Sequence, residues 1–324
     1  MAESFIYANG RISGKDVTFL DRRMWQMLIS AGDVDEATRL LGDTWYGGFM
    51  QYHSLEECFI KVMETTENEL LELSEDERLI KGILHRRDVR NARYIWKKFL
   101  SGDKSEEEIE VERKGLIDTE LLRKAIKSDE AREDLPPLFL NVLEELLENA
   151  ESGKADIDRV MDKLAAAVQR NELTVINSDF SKFVMTNLEQ KNFLTAGRCS
   201  IDGVPRQDMR RMLLQGGYHT EDEIEEAYQR KTLPVLLAEI PGFEKTAAAL
   251  EEAFQDGSFL EFEKESDKRL LELLEKGAFP VFGPSPLAAF VLRRELEISH
   301  LRLLLAAKSA GVTENRLKKR LPRG

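Results

Sequence analysis

The chain has 324 residues, with 60 acids against 47 Lys and Arg, a formal net charge of −13 and a pI near 5.1. That balance excludes binding to nucleic acid through a general attraction for phosphate. A membrane-spanning helix is also excluded, because Arg293, Arg294, Glu295 and Glu297 interrupt the most apolar stretch. Charged residues at 33 %, aromatics at 8 % and nine prolines favour helices, and no window alternates apolar and polar residues as a strand does. The expected fold class is all-α, with two or three domains. Cys58 and Cys199 are the only cysteines and nothing at the N-terminus resembles a signal peptide, so reduced thiols and a cytoplasmic setting are expected.

From Tyr7 the chain reads YANGRISG, and Gly10 opens a first unit. Asp21 is placed to cap a short helix through Trp25, Leu28 and Ile29 that Gly32 ends. Asp33 is placed to cap a second, through Ala37, Leu40 and Leu41 to Gly42. TWYGG makes a turn with aromatic anchors, and an amphipathic helix from Ser54 carries Leu55, Cys58, Phe59, Val62 and Met63. A long helix from about Leu79 to Gly102 closes the unit.

A second unit follows the acidic linker SGDKSEEEIEVERKG. After Gly115, Asp118 or Thr119 can cap a short helix with Leu121, Leu122 and Ile126. Pro136 and Pro137 start another, stopped at Gly153, and helical signal continues from Asp156 through Val168. The closing long helix is degenerate: Asp179, Phe180 and Phe183 match Asp88, Val89 and Ala92 in one register, whereas Met185, Leu188 and Phe193 allow another.

Gly197 opens the third unit with a polar turn and a short helix ending at Gly217. Thr220 and Glu223 fit a capping box, IPGF is a turn, and helices run through Phe254 and from about Leu260 to Lys276. The last long helix, Pro286 to Gly311, sets Leu287, Phe290, Val291, Ile298, Leu301, Leu304 and Leu305 on one face. Its length is about 40 Å. Laid without gaps on this helix, RRDVRNARYIWKKFLSG matches ELEISHLRLLLAAKSAG: Asp88 falls on Glu297, Asn91 on His300, Arg93 on Arg302 and Gly102 on Gly311. Three similar helical units are therefore expected, 1–108, 109–196 and 197–324.

The sequence offers no catalytic or metal centre. HRRD at His85 to Asp88 lacks the spacing of a kinase catalytic loop, and His53, His85, His219 and His300 have no partner at metal-ligand spacing. Walker A, G-x-S-x-G and dinucleotide glycine patterns are missing, and FGPSP is punctuation at a helix start. No cofactor, small-molecule substrate or nucleic acid is expected. The basic run RLKKRLPR near the C-terminus reads first as a solvated tail, and second as a contact for lipid headgroups or an acidic partner.

Four stretches together resemble the C subunit of the archaeal and bacterial V/A-type ATPases, the counterpart of the d subunit in eukaryotic vacuolar ATPases. They are YANGR with the DRRMWQMLISAGDVDEATRLL pair and YGG, RRDVRNARYIWKKFLSG, GRCSI with its polar turn, and GPSPLAAFVLRRELEISHLRLLLAAKSAG. The resemblance covers the whole chain. It implies an all-helical funnel of three units with pseudo-threefold symmetry. It further implies a non-catalytic central-stalk (rotor) part on the cytoplasmic side of the membrane, a socket seating the central shaft on the cytoplasmic loops of the proteolipid ring. Arg90, Arg93 and Arg302 are the candidate partner-binding residues, since a guanidinium holds a carboxylate in a bidentate pair. The alternative for them is pairing within the chain, to Asp88 or Glu297. The alternative for the whole chain is a soluble helical-repeat scaffold unconnected with an ATPase.

Overall fold

The computed structural model describes residues 2–51, 54–100, 115–151, 157–174, 178–275 and 283–322. Among these residues every regular element is a helix. The first region holds α1 (Ala2–Ser13), α2 (Arg22–Ser30), α3 (Val34–Gly42), α4 (Gly47–Met50) and α5 (Leu55–Leu73), followed by the long α6 (Glu77–Leu100). The second holds α7 (Thr119–Ala125), α8 (Asp129–Arg132), α9 (Pro137–Glu151) and α10 (Ile157–Val168), then a π-helical turn and the long α11 (Ser178–Asp202). The third holds α12 (Arg206–Met212), α13 (Glu221–Arg230), α14 (Leu233–Ala238), α15 (Glu244–Asp256) and α16 (Leu260–Leu274), then the long α17 (Ser285–Ser309) and α18 (Glu314–Arg320).

The helix starts follow local capping chemistry. Asp21 accepts the Met24 N–H at 2.7 Å and Asp33 the Glu36 N–H at 2.8 Å. Ser54 with Glu57, and Thr220 with Glu223, form reciprocal capping boxes, and Asp118 caps α7. Gly102 and Gly153 lie outside the described residues, as does most of the acidic linker.

Three apolar cores form, and each is built on one long helix. The second half of α6 (Val89, Ala92, Ile95, Trp96) packs with Leu122, Phe139, Leu143 and Leu164 of the helices that follow it. The second half of α11 (Phe193, Ala196, Cys199) packs with Ile224, Leu237, Phe243, Leu250 and Phe262, again from helices that follow. In α17, Ile298, Leu301 and Leu304 pack with Trp25, Leu28, Ala37, Phe59 and Val62 at the start of the chain. So α6 lies along α10, α11 along α16 and α17 along α5. Every apolar residue expected on one face of the last long helix is buried. At roughly 25 cal/mol per Å² of apolar surface removed from water, this closure is the main force holding the first region to the last.

Two glycines expected to open units lie inside helices instead, Gly10 in α1 and Gly197 in α11. A helix interior tolerates one glycine at a cost of about 1 kcal/mol when packing compensates. At Gly197 the compensation is visible, since a Cβ there would stand 2.7 Å from the Phe259 ring and 3.1 Å from Leu250. The bare backbone lets α15 and α16 approach α11.

Candidate functional site

Each long helix buries one carboxylate, and each carboxylate holds the entry to a short helix. Asp88 accepts the N–H groups of Leu116 and Ile117, both at 3.1 Å, ahead of α7. Glu189 accepts those of Tyr218 at 2.7 Å and His219 at 3.3 Å, ahead of α13. Glu297 accepts that of Leu20 at 2.8 Å, ahead of α2. All three acids are at most 3 % exposed. Each stands fourteen positions before a glycine: 88 and 102, 189 and 203, 297 and 311. Gly203 and Gly311 have φ of +68° and +70°, the left-handed turn that ends α11 and α17. Asp179 stands at the head of α11, and the residue taking the place of Asp88 is Glu189. The middle long helix is a full copy.

The acids press so closely on the turns that two positions must be glycine. A Cβ on Gly115 would lie 1.7 Å from an oxygen of Asp88, and one on Gly217 2.2 Å from an oxygen of Glu189. The first region has Thr18 in that place, and its carbonyl and hydroxyl are bound by Arg294, at 3.1 Å and 2.5 Å. Arg294 is fully buried, hydrogen-bonded to Glu297 and stacked on Phe19 and Trp45 with its guanidinium carbon 4.0 Å and 4.7 Å from the ring centres. Burial pushes the Asp88 carboxyl up to about 6, against the pull of its two N–H donors. Burial also pushes the Tyr46 phenol, 2.8 Å from Glu297, well above its usual range.

Equivalent ion pairs join each long helix to its partner. Arg93 pairs with Asp162 and Lys97 with Asp158 on α10, Arg198 pairs with Glu263 on α16, and Arg302 pairs with Glu56 on α5. Arg90 shares Glu295 of α17 with Arg86. All three arginines singled out from sequence are thus paired within the chain, with acids of other helices rather than with Asp88 or Glu297. Two cations escaped the sequence reading, Arg86 and Lys191. Their signal is the register itself, since Arg86, Asn187 and Glu295 occupy one equivalent position and Arg90, Lys191 and Ser299 the next. The residues of this second set are all exposed, although the positions on either side of the carboxylates are mostly buried.

The histidines and the HRRD stretch serve packing. His85 faces Glu172 at 3.1 Å, His219 faces Glu189 at 2.5 Å and His300 faces Asp267 at 3.0 Å, while His53 lies outside the described residues. Within HRRD, Arg87 pairs with Glu67 and Asp88 holds the α7 turn. Among the described residues no helix is long and apolar enough to cross a membrane. The basic C-terminal run forms most of α18, where Arg320 pairs with Glu263 and Asp267; Arg323 lies outside the described residues.

A family model described as ATP synthase (C/AC39) subunit matches residues 8–320. The chain belongs to that family. Two curated relatives agree over nearly the whole length. The A-type ATP synthase C subunit of Methanocaldococcus jannaschii is 22 % identical, covering 94 % of this chain and 82 % of the relative. That of Methanococcoides burtonii is 21 % identical, covering 99 % and 94 %. The resemblance read from the four sequence stretches is confirmed. As members of the C/AC39 family, such chains are subunits of an ATP synthase, a membrane-associated complex.

Proposed function

We propose that this C/AC39 chain is a non-catalytic rotor coupler: a funnel-like socket that seats the central shaft of an A-type ATPase on its proteolipid ring. It sits on the cytoplasmic side, touches the ring through its cytoplasmic loops, and carries torque between ATP chemistry and proton or sodium flow. The observation that carries the reading is the triplet Asp88, Glu189 and Glu297. Equivalent carboxylates holding equivalent turns support three units related by a pseudo-threefold axis. In this reading the units are those taken from the sequence, 1–108, 109–196 and 197–324, and each long helix lends its second half to the short helices that follow, with α17 serving the first. Arg90, Arg93 and Arg302, each paired within the chain to an acid of another helix, remain the residues proposed to meet the partners.

A torque coupler needs stiffness more than chemistry. Three long helices of 24 and 25 residues, each locked to a neighbour by a core and by ion pairs, supply it. The test is affinity purification of the tagged chain from gently solubilised membranes, with the bound proteins identified by mass. Recovery with shaft subunits and proteolipid supports the coupler. Recovery alone, or with unrelated soluble proteins, overturns it in favour of a helical scaffold.

A further inference from the structure

A cleft of about 260 Å³ opens between the second and third regions, away from the buried carboxylates. One wall is α9, where Leu138, Asn141 and Val142 stand at the three- and four-residue steps that share a helix face. Another is α10 with the π-helical turn Gln169–Leu173, where Lys163, Ala167 and Arg170 stand at steps of four and three. The third is the segment 213–215, which Leu214 pins to α11 through its two hydrogen bonds with Asn192, at 2.7 Å and 2.8 Å. The walls therefore rest on fixed elements.

The charged groups of the cleft are not paired with one another. Lys163 is half-buried and makes neither a hydrogen bond nor an ion pair among the described residues. Arg170, also half-buried, meets only the side-chain oxygen of Gln215, at 3.5 Å. Its stem lies over Gly216, where φ is +103° and a Cβ would stand 3.0 Å from the Arg170 Cδ. A glycine there lets the chain turn beneath the arginine. Glu221 is the one carboxylate of the lining, and it too has no ion pair among the described residues. Cations that give up water in a cleft without a contacting counter-ion are stabilised by an anion that enters it.

We infer that this cleft binds a small organic acid, a carboxylate or phosphate monoester carried on an apolar body of about six to eight carbons. A cavity of roughly 150 Å³ holds benzene, so this one has room for a ring or short chain together with its acid group. Arg170 takes the acid with its planar fork and Lys163 with a point charge, while Leu138, Val142, Leu164 and Leu213 cover the carbon body. Because the walls come from two regions, the bound acid ties those regions together. It acts on the stiffness of the chain and is not a substrate.

The test is calorimetric titration of the purified full chain with octanoate and, separately, phenyl phosphate, beside 1-octanol and inorganic phosphate. At least one acid should bind about tenfold or more tighter than either control and raise Tm by a few degrees near saturation. The tighter of the two acids identifies the acid group. Arg170→Met with Lys163→Met keeps both stems and removes both charges, so the empty chain should melt near wild type while acid binding falls about tenfold or more. Ala167→Leu leaves the cations and fills the cleft, and should weaken binding as much. Glu221→Gln removes the like charge and should tighten it about two- to threefold. Binding of neither acid, binding no tighter than that of the controls, or wild-type binding in the Met pair or in Ala167→Leu overturns the inference.

Discussion

Glu297 accepts the backbone N–H of Leu20 at 2.8 Å across 277 positions of sequence. Its other oxygen takes the Tyr46 hydroxyl and the Arg294 guanidinium, so one carboxylate fixes the beginning of the chain to its last long helix. Glu297→Ala leaves the buried charge of Arg294 without its counter-ion and should cost about 3–5 kcal/mol. Denaturant unfolding followed by circular dichroism measures it. A loss under about 1 kcal/mol would mean that the carboxylate is not what holds the turn.

Glycine substitutions separate the turns from ordinary helix positions. Gly217→Ala puts a methyl group against the Glu189 carboxylate and should destabilise by about 2–3 kcal/mol, through displacement of the acid from its N–H donors. Gly10, inside α1 with no atom within 4 Å of a Cβ, should gain about 0.5–1 kcal/mol on change to Ala. Thermal melts of the two variants should move in opposite directions.

The His219–Glu189 pair adds a pH dependence. Its hydrogen bond holds His219 above the ordinary value of 6.5, so the pair adds stability below that value and loses it as pH rises through the higher folded value. The Tm gap between wild type and His219→Gln should therefore be wider at about pH 5.5 than at about pH 8.5. An equal gap at both would show that the imidazole is neutral in the pair. Asp267 runs the other way. Burial alone would raise it, yet His300 and Arg320 hold it below its usual range, so the gap for Asp267→Asn should shrink as pH falls through the carboxylate range.

Closure of the first core by α17 makes a truncation informative. A chain ending at Glu275 keeps the helices of the second and third cores but loses Ile298, Leu301 and Leu304 from the first. Limited proteolysis should then cut within residues 2–73 while fragments containing 115–275 survive. Uniform resistance along the truncated chain would show that the first region folds without its partner helix.

Much of the fold was legible because helix signals are local. Asp21, Asp33, Ser54 and Thr220 announce their helices within three residues, and the spacing of Leu301, Leu304 and Leu305 announces a buried face. The middle long helix misleads because its apolar residues, Phe180 and Phe183, invite comparison ahead of its polar ones. Glu189, Asn192 and Gly203 repeat the spacing of Asp88, Asn91 and Gly102. Asn192 exchanges hydrogen bonds with the Leu214 backbone at 2.7 Å and 2.8 Å, so the polar positions carry the geometry and the apolar ones vary. Arg294 could not have been found locally. Its partners Thr18, Phe19, Trp45 and Tyr46 lie some 250 residues upstream or more. The same holds for Lys191, whose setting depends on Arg86, Arg93 and Asp162 from other helices.

The rotor reading meets its most direct test in a cross-link. Both native cysteines are buried with thiols pushed up by burial, Cys58 to about 11, so a cysteine introduced as Lys191→Cys would be the reactive one. In the intact complex, a bifunctional reagent should join that cysteine to a component of the central shaft, and ATP-driven ion pumping should continue, because two parts that turn together can be tied without stopping. Failure to link to the shaft, or a link that arrests pumping, would contradict the coupler.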